Sequence, residues 1–168
     1  MSGAAVTASR LDRVILDGES PNNLSPFIEA DREQAVADLA AASHFRVFGR
    51  DGELTVGPYV LHLTINEGRL VFDIRSADDQ PMIAIGLALG PFRGMVKDYQ
   101  MLVDSHIKAV DEGREARIQA IDMGRRGLHD EGAKLMTDRL AGKIDIDFDT
   151  ARRLFTLVCV LAQRVSAR

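Results

Sequence analysis

A change of hydrophobic period at Gly90-Pro91 constrains the fold more than any other feature of this 168-residue chain. Before it, apolar residues come in short runs that alternate with polar ones; after it, they recur every three to four positions. Alternation sends successive side chains to opposite faces of a strand, whereas the longer spacing draws one stripe along a helix. The chain is therefore expected to build strands first and helices later.

Tyr59 to Ile65 alternates, and Asn66-Glu67-Gly68 supplies a glycine for a tight turn into Leu70 to Ile74, which predicts a β-hairpin. Leu11, Val14, Ile15 and Leu16 predict a short first strand, followed by a turn-rich stretch from Gly18 to Asn23. His44–Phe48 and Met82–Leu89 predict two further strands. One early helix interrupts them: Ser25 suits an N-cap, Pro26 the first helical position, and Ile28, Ala35, Val36 and Leu39 carry the helix to about Ala42.

Beyond Gly90, Phe92, Met95, Val96, Tyr99, Leu102, Val103, Ile107 and Val110 fall on one stripe of a helix from about Pro91 to Glu112. A second tract from Arg114 to about Leu140 contains Gly124, Gly127 and Gly132. Each glycine costs about 1 kcal/mol against alanine in a helix, so a break or bend is expected between 124 and 132. Ile144 to Asp149 alternates as a half-buried strand would, and Asp149 is placed to cap a last helix from Thr150 to about Gln163. That helix is apolar around most of its circumference and belongs in the centre of the fold.

This order predicts a single α+β domain over residues 1–168, with a mainly antiparallel sheet, the 59–74 hairpin at its middle, and the helices of the C-terminal half on one face. Residues 1–10, small and polar, are expected to form a disordered tail. A chain of this length buries about two-thirds of its unfolded surface and needs no disulfide. Cys159, the single cysteine, lies among Leu157, Val158, Val160 and Leu161, which predicts a buried, inert thiol and a reducing compartment. No secretory pattern opens the chain, and no apolar run reaches the ~18 residues of a membrane span, so the cytoplasm is expected and a membrane partner is not.

The net charge of −4 is too small to steer the whole molecule toward nucleic acid. Its distribution is uneven, however. Residues 1–90 hold 7 basic and 13 acidic side chains, and residues 91–168 hold 14 and 12, so an anion is expected on the C-terminal half.

Three constellations there carry cations. Asp122-Met123-Gly124-Arg125-Arg126-Gly127-Leu128-His129 combines paired guanidiniums, which fork onto phosphate or carboxylate, with glycines that permit close backbone approach. It matches neither a Walker loop nor a Rossmann fingerprint. Arg152 and Arg153 sit in the first turn of the last helix, where cations oppose the helix dipole. Arg93 and Lys97 open the helix after Gly90-Pro91, where free backbone N–H groups also face outward. The bland reading is that these groups pair with carboxylates such as Asp98 or Asp122, or lie on solvated faces.

Asp145, Asp147 and Asp149 recur at period two, as an acidic strand face does; they lack the glycine turn of a calcium loop. His44, His62, His106 and His129 show no metal-ligand spacing, so no metal or other cofactor is expected. His129, with Asp122 or Glu131, is the one candidate for acid–base chemistry. No recognisable catalytic motif is present, and enzymatic activity is left open.

Four segments together carry a resemblance: Gly57-Pro58-Tyr59; Pro91-Phe92-Arg93 with Val96-Lys97-Asp98-Tyr99; Ala120 through His129; and Asp147 through Leu157. In these the chain resembles the uncharacterised protein family UPF0262, a bacterial family of about this length. Val103 and Asp130 depart from the pattern, which has cysteine and asparagine there. The resemblance implies no activity, ligand or functional residue.

The reading that follows is a binding module for a small phosphate- or carboxylate-bearing ligand, held by Arg93, Lys97, Arg125, Arg126, His129, Arg152 and Arg153. The alternative is an interaction or regulatory protein, with a homodimer as one form of it, whose arginines are spent in internal ion pairs.

Overall fold

The hairpin turn at Glu67-Gly68 sets the middle of the sheet. In the computed structural model, which describes residues 8–17 and 25–166 and side chains as far as Gln163, both turn residues have positive φ, 50° and 75°. Paired positive φ values give a turn whose twist matches that of the flanking strands. It joins β3 (Tyr59–Asn66) to β4 (Arg69–Ser76), with Asn66 opposite Arg69. β1 (Leu11–Leu16) pairs parallel to β3, and β5 (Pro81–Ala88) antiparallel to β4, giving the order β1-β3-β4-β5. Tyr59, Leu61, Leu63, Leu70, Phe72 and Ile74 alternate along the hairpin and are fully buried. A separate two-stranded ribbon pairs β2 (Phe45–Val47) with β6 (Ile144–Ile146).

Parallel pairing of β1 and β3 requires a crossover, and α1 (Pro26–Ala41) lies within it. Its start is as the sequence predicts, with the Ser25 hydroxyl accepting from the Ile28 amide and Pro26 opening the helix. A 3-10 turn at Gly90–Phe92 leads into α2 (Arg93–Asp111), followed by α3 (Glu115–Leu140) and α4 (Phe148–Ser166). From Leu154 to Val160 every residue of α4 but Thr156 is fully buried. The other three helices pack on α4, which itself reaches β3. This is the predicted α+β domain, with hairpin in the middle and a central last helix.

Three expectations are corrected. The tract is not broken: α3 is one helix through Gly124, Gly127 and Gly132, because packing against α2 and α4 offsets the glycine penalty. The strand at 144 ends at Ile146. The last helix starts at Phe148 and is capped by Asp147, whose Oδ1 accepts from the Thr150 amide at 2.8 Å. Of the expected tail, residues 1–7 lie outside the described residues, but the carbonyls of Ser9 and Arg10 accept from the Phe45 and Tyr59 amides. The turn expected at Gly18–Asn23 also lies outside the described residues.

The reassigned cap has a measurable consequence. Asp147→Ala is expected to cost about 1 kcal/mol. Asp149→Ala, which removes an exposed pair with Arg152 and a solvated first-turn carboxylate but no cap, is expected to cost less, about 0.5 kcal/mol. Urea denaturation of the two variants separates these outcomes.

Candidate functional site

The start of α2 is electrostatically unbalanced. Neither α2 nor the 3-10 turn before it has a capping side chain or an acidic residue in its first turn, so the partial positive charge of the helix end stands uncompensated. Arg93 and Lys97 add two exposed cations one turn apart, and neither forms an ion pair among the described residues. Both line a cavity of about 400 Å³ whose walls are Ile65 of β3, Leu89, Val96 of α2 and Ala162 of α4. Gly68 opens one side: a Cβ there would lie 3.6 Å from the Arg93 guanidinium. Gln100 and Gln163 supply the remaining polar groups. The Gln100 amide is committed to Asp104 at 2.7 Å, whereas that of Gln163 makes no hydrogen bond among the described residues.

A second cluster sits where α1, α2, α3 and α4 meet. Asp31 of α1 accepts from the Tyr99 hydroxyl at 2.7 Å and from Arg125 at 3.4 Å. The Arg125 guanidinium lies 4.9 Å over the Phe27 ring. His129 stands near the rings of Tyr99 and Phe155, with Nε2 3.4 Å from the Thr156 hydroxyl. Burial, then the positive charges of Arg125 and Arg152, lower the His129 pKa from 6.5 to about 4, against the opposing pull of Asp31. Tyr99 is pushed far up by burial and by Asp31, which keeps its proton on the phenol as a donor. A small cavity of about 160 Å³ opens beside His129, Arg152 and Arg153. The cations around it are already matched: Arg125 with Asp31, Arg152 with Asp149 at 3.3 Å, Arg153 with Asp38 at 3.4 Å.

The six cations and one histidine picked out in the sequence therefore do not form one site. Arg93 and Lys97 share the larger cavity; His129, Arg152 and Arg153 share the smaller, with Arg125 joined to it through Asp31. Arg126 is exposed on α3 and lines neither. The expected partners also differ. Asp122 faces His106 at 3.9 Å and Glu131 is exposed, so neither attends His129. No group of three His, Cys, Asp or Glu suited to a metal occurs among the described residues. Cys159 is fully buried, and that burial raises its thiol pKa well above the ordinary value, as its aliphatic neighbours predict. No helix among the described residues is long and apolar enough to cross a membrane.

Sequence reasoning missed Asp31, Tyr99 and Gln163. For Asp31 and Tyr99 the partner lies 68 positions away, beyond any local pattern. Gln163 did leave a trace, as the polar residue that ends the apolar run of the last helix.

The profile of a family described as "Uncharacterised protein family (UPF0262)" matches residues 8–164. A UPF0262 protein of Granulibacter bethesdensis is 62% identical over 94% of this chain and 92% of its own length. One from Acidiphilium cryptum is 57% identical over 96% and 98%, and one from Maricaulis maris 48% identical over 94% and 96%. No solved structure matches the chain.

Proposed function

This chain belongs to the uncharacterised protein family UPF0262, and from its geometry we propose that it is a binding module for a small organic anion, held in the Arg93–Lys97 cavity. One observation carries the reading. Two cations without carboxylate partners among the described residues, Arg93 and Lys97, stand together at an uncapped helix start, over a cavity walled mainly by aliphatic side chains. A cavity of this size lies within the range of small-molecule sites. Its walls suit the apolar body of a ligand, while the cations and the helix end suit a carboxylate or phosphate. The His129 cluster is set aside as the anion site because its guanidiniums are already satisfied.

The test is thermal denaturation at low salt with inorganic phosphate and short-chain carboxylates. A ligand at 100 times its Kd adds about 2.7 kcal/mol to stability. The rise in Tm is expected to disappear in Arg93→Gln/Lys97→Gln and to persist in Arg126→Gln. A shift that survives the double substitution contradicts the reading.

A second reading, contact with a protein partner or a second copy of the chain, draws on a different surface. Exposed Ile107 and Val110 flank an apolar cleft of about 500 Å³ that also involves Pro26 and Phe27. Light scattering across a hundredfold concentration range tests it: a mass that stays monomeric removes the homodimer.

A further inference from the structure

Among the described residues, every buried polar side chain but one has a hydrogen-bond partner. Among the described residues, His62, Thr150, Thr156 and Gln163 are the polar side chains withdrawn from solvent. His62 is held between Asp17 at 3.1 Å and Asp79 at 3.0 Å. The Thr150 hydroxyl accepts from the His44 amide, and that of Thr156 donates to the Arg152 carbonyl. Gln163 is only 9% exposed, follows three buried apolar residues on α4, and has no partner among the described residues. Buried amides are normally hydrogen-bonded, and an exception calls for a physical reason. Gln163 lines the same cavity as Arg93 and Lys97.

We infer that Gln163 is a specificity-determining residue, whose amide reads a neutral oxo or hydroxyl group on the apolar body of the bound anion. The inference rests on the anion-binding reading of this cavity and names its ligand class. The cavity, at about 400 Å³, is of small-molecule size, and substituted hexanoates serve as its probes. The carboxylate takes the Arg93–Lys97 end, the chain lies against Ile65, Leu89, Val96 and Ala162, and the substituent meets the Gln163 amide. An amide both donates and accepts, so it serves either an oxo or a hydroxyl group. A site built around a buried hydrogen-bonding group discriminates strongly against an analogue lacking its partner, because the group is then left unpaired.

The experiment is calorimetric titration of the full chain with hexanoate and with the oxo- and hydroxyhexanoates substituted at each carbon in turn. The wild type is expected to bind one positional isomer at least tenfold more tightly than hexanoate. In Gln163→Leu that gap closes to within about twofold, and hexanoate itself binds at least as well. Gln163→Met, which keeps the length and lack of branching, repeats the test should the leucine variant misfold. Equal binding of all isomers by the wild type overturns the inference while leaving the anion site intact, as does a preference that survives in the folded variant. Failure of hexanoate and all its derivatives to bind removes the anion site itself, and the inference with it.

Discussion

Gly132→Ala is expected to destabilise the protein by about 2 kcal/mol or more, although alanine is the better helix former. A Cβ on Gly132 would lie 2.4 Å from the Phe155 ring, closer than any real contact. Phe155 is itself fully buried in the central helix and cannot swing away. The gain of about 1 kcal/mol in helix propensity is thus outweighed by overpacking at the α3–α4 contact. For a domain of this size the loss corresponds to a fall in Tm of at least about 4 °C. Gly127→Ala, five positions earlier on the same helix, places its Cβ where no atom lies within 4 Å. It is expected to raise stability by up to about 1 kcal/mol. Urea melts of the two variants should move in opposite directions; movement in the same direction would show that the two glycines do not differ as their surroundings require.

His129 makes the second large prediction. The folded chain refuses a proton at this imidazole until about pH 4, whereas the unfolded chain accepts one near 6.5. As pH falls below 6.5 the unfolded state gains a proton that the folded state lacks, so stability declines, and the decline levels off below about pH 4. The full difference is roughly 3 kcal/mol. Burial sets most of it, and the charges that act on the ring are Arg125 and Asp130 on α3, Asp31 on α1 and Arg152 on α4, with the neutral Tyr99 ring of α2 packed beside it. His129→Gln, which carries no titrating proton, should lack this component. Other groups also titrate in acid: Asp79, held below the usual carboxylate range by its hydrogen bond to His62, loses its contribution as pH falls further. The informative quantity is therefore the difference between wild type and variant. A constant difference in unfolding free energy from pH 7 to pH 4 would contradict the burial of His129.

How far the sequence reached depends on the range of the interaction. Local patterns sufficed for the 59–74 hairpin, the Ser25 cap, the change to helices at Gly90 and the central last helix, because each is written within a few residues of itself. Gly132 defeated local reasoning. The absent Cβ makes room for Phe155, which stands 23 positions later, so a helix that propensity alone would break continues unbroken. Asp147 took the capping role expected of Asp149 because β6 stops at Ile146, its pairing limited to the three residues of β2. The cations were identifiable as cations, but their separation into satisfied and unsatisfied groups was not. Asp31 neutralises Arg125 across 94 positions, and Asp38 neutralises Arg153 from the same helix. That Arg93 and Lys97 are unmatched and share a cavity, whereas Arg126 is unmatched but lines neither cavity, is visible only once those partners are in place.

The measurement that bears most directly on the anion site is an amide ¹H–¹⁵N NMR titration of the protein with hexanoate at low salt. Saturable shifts are predicted at Gly68, Leu89, Arg93, Val96 and Gln163, which surround the cavity. Residues 129 to 156 around the second cluster should remain unmoved. Shifts centred on His129 and Arg152, or no saturable shift at all, would contradict the assignment of the anion to Arg93 and Lys97.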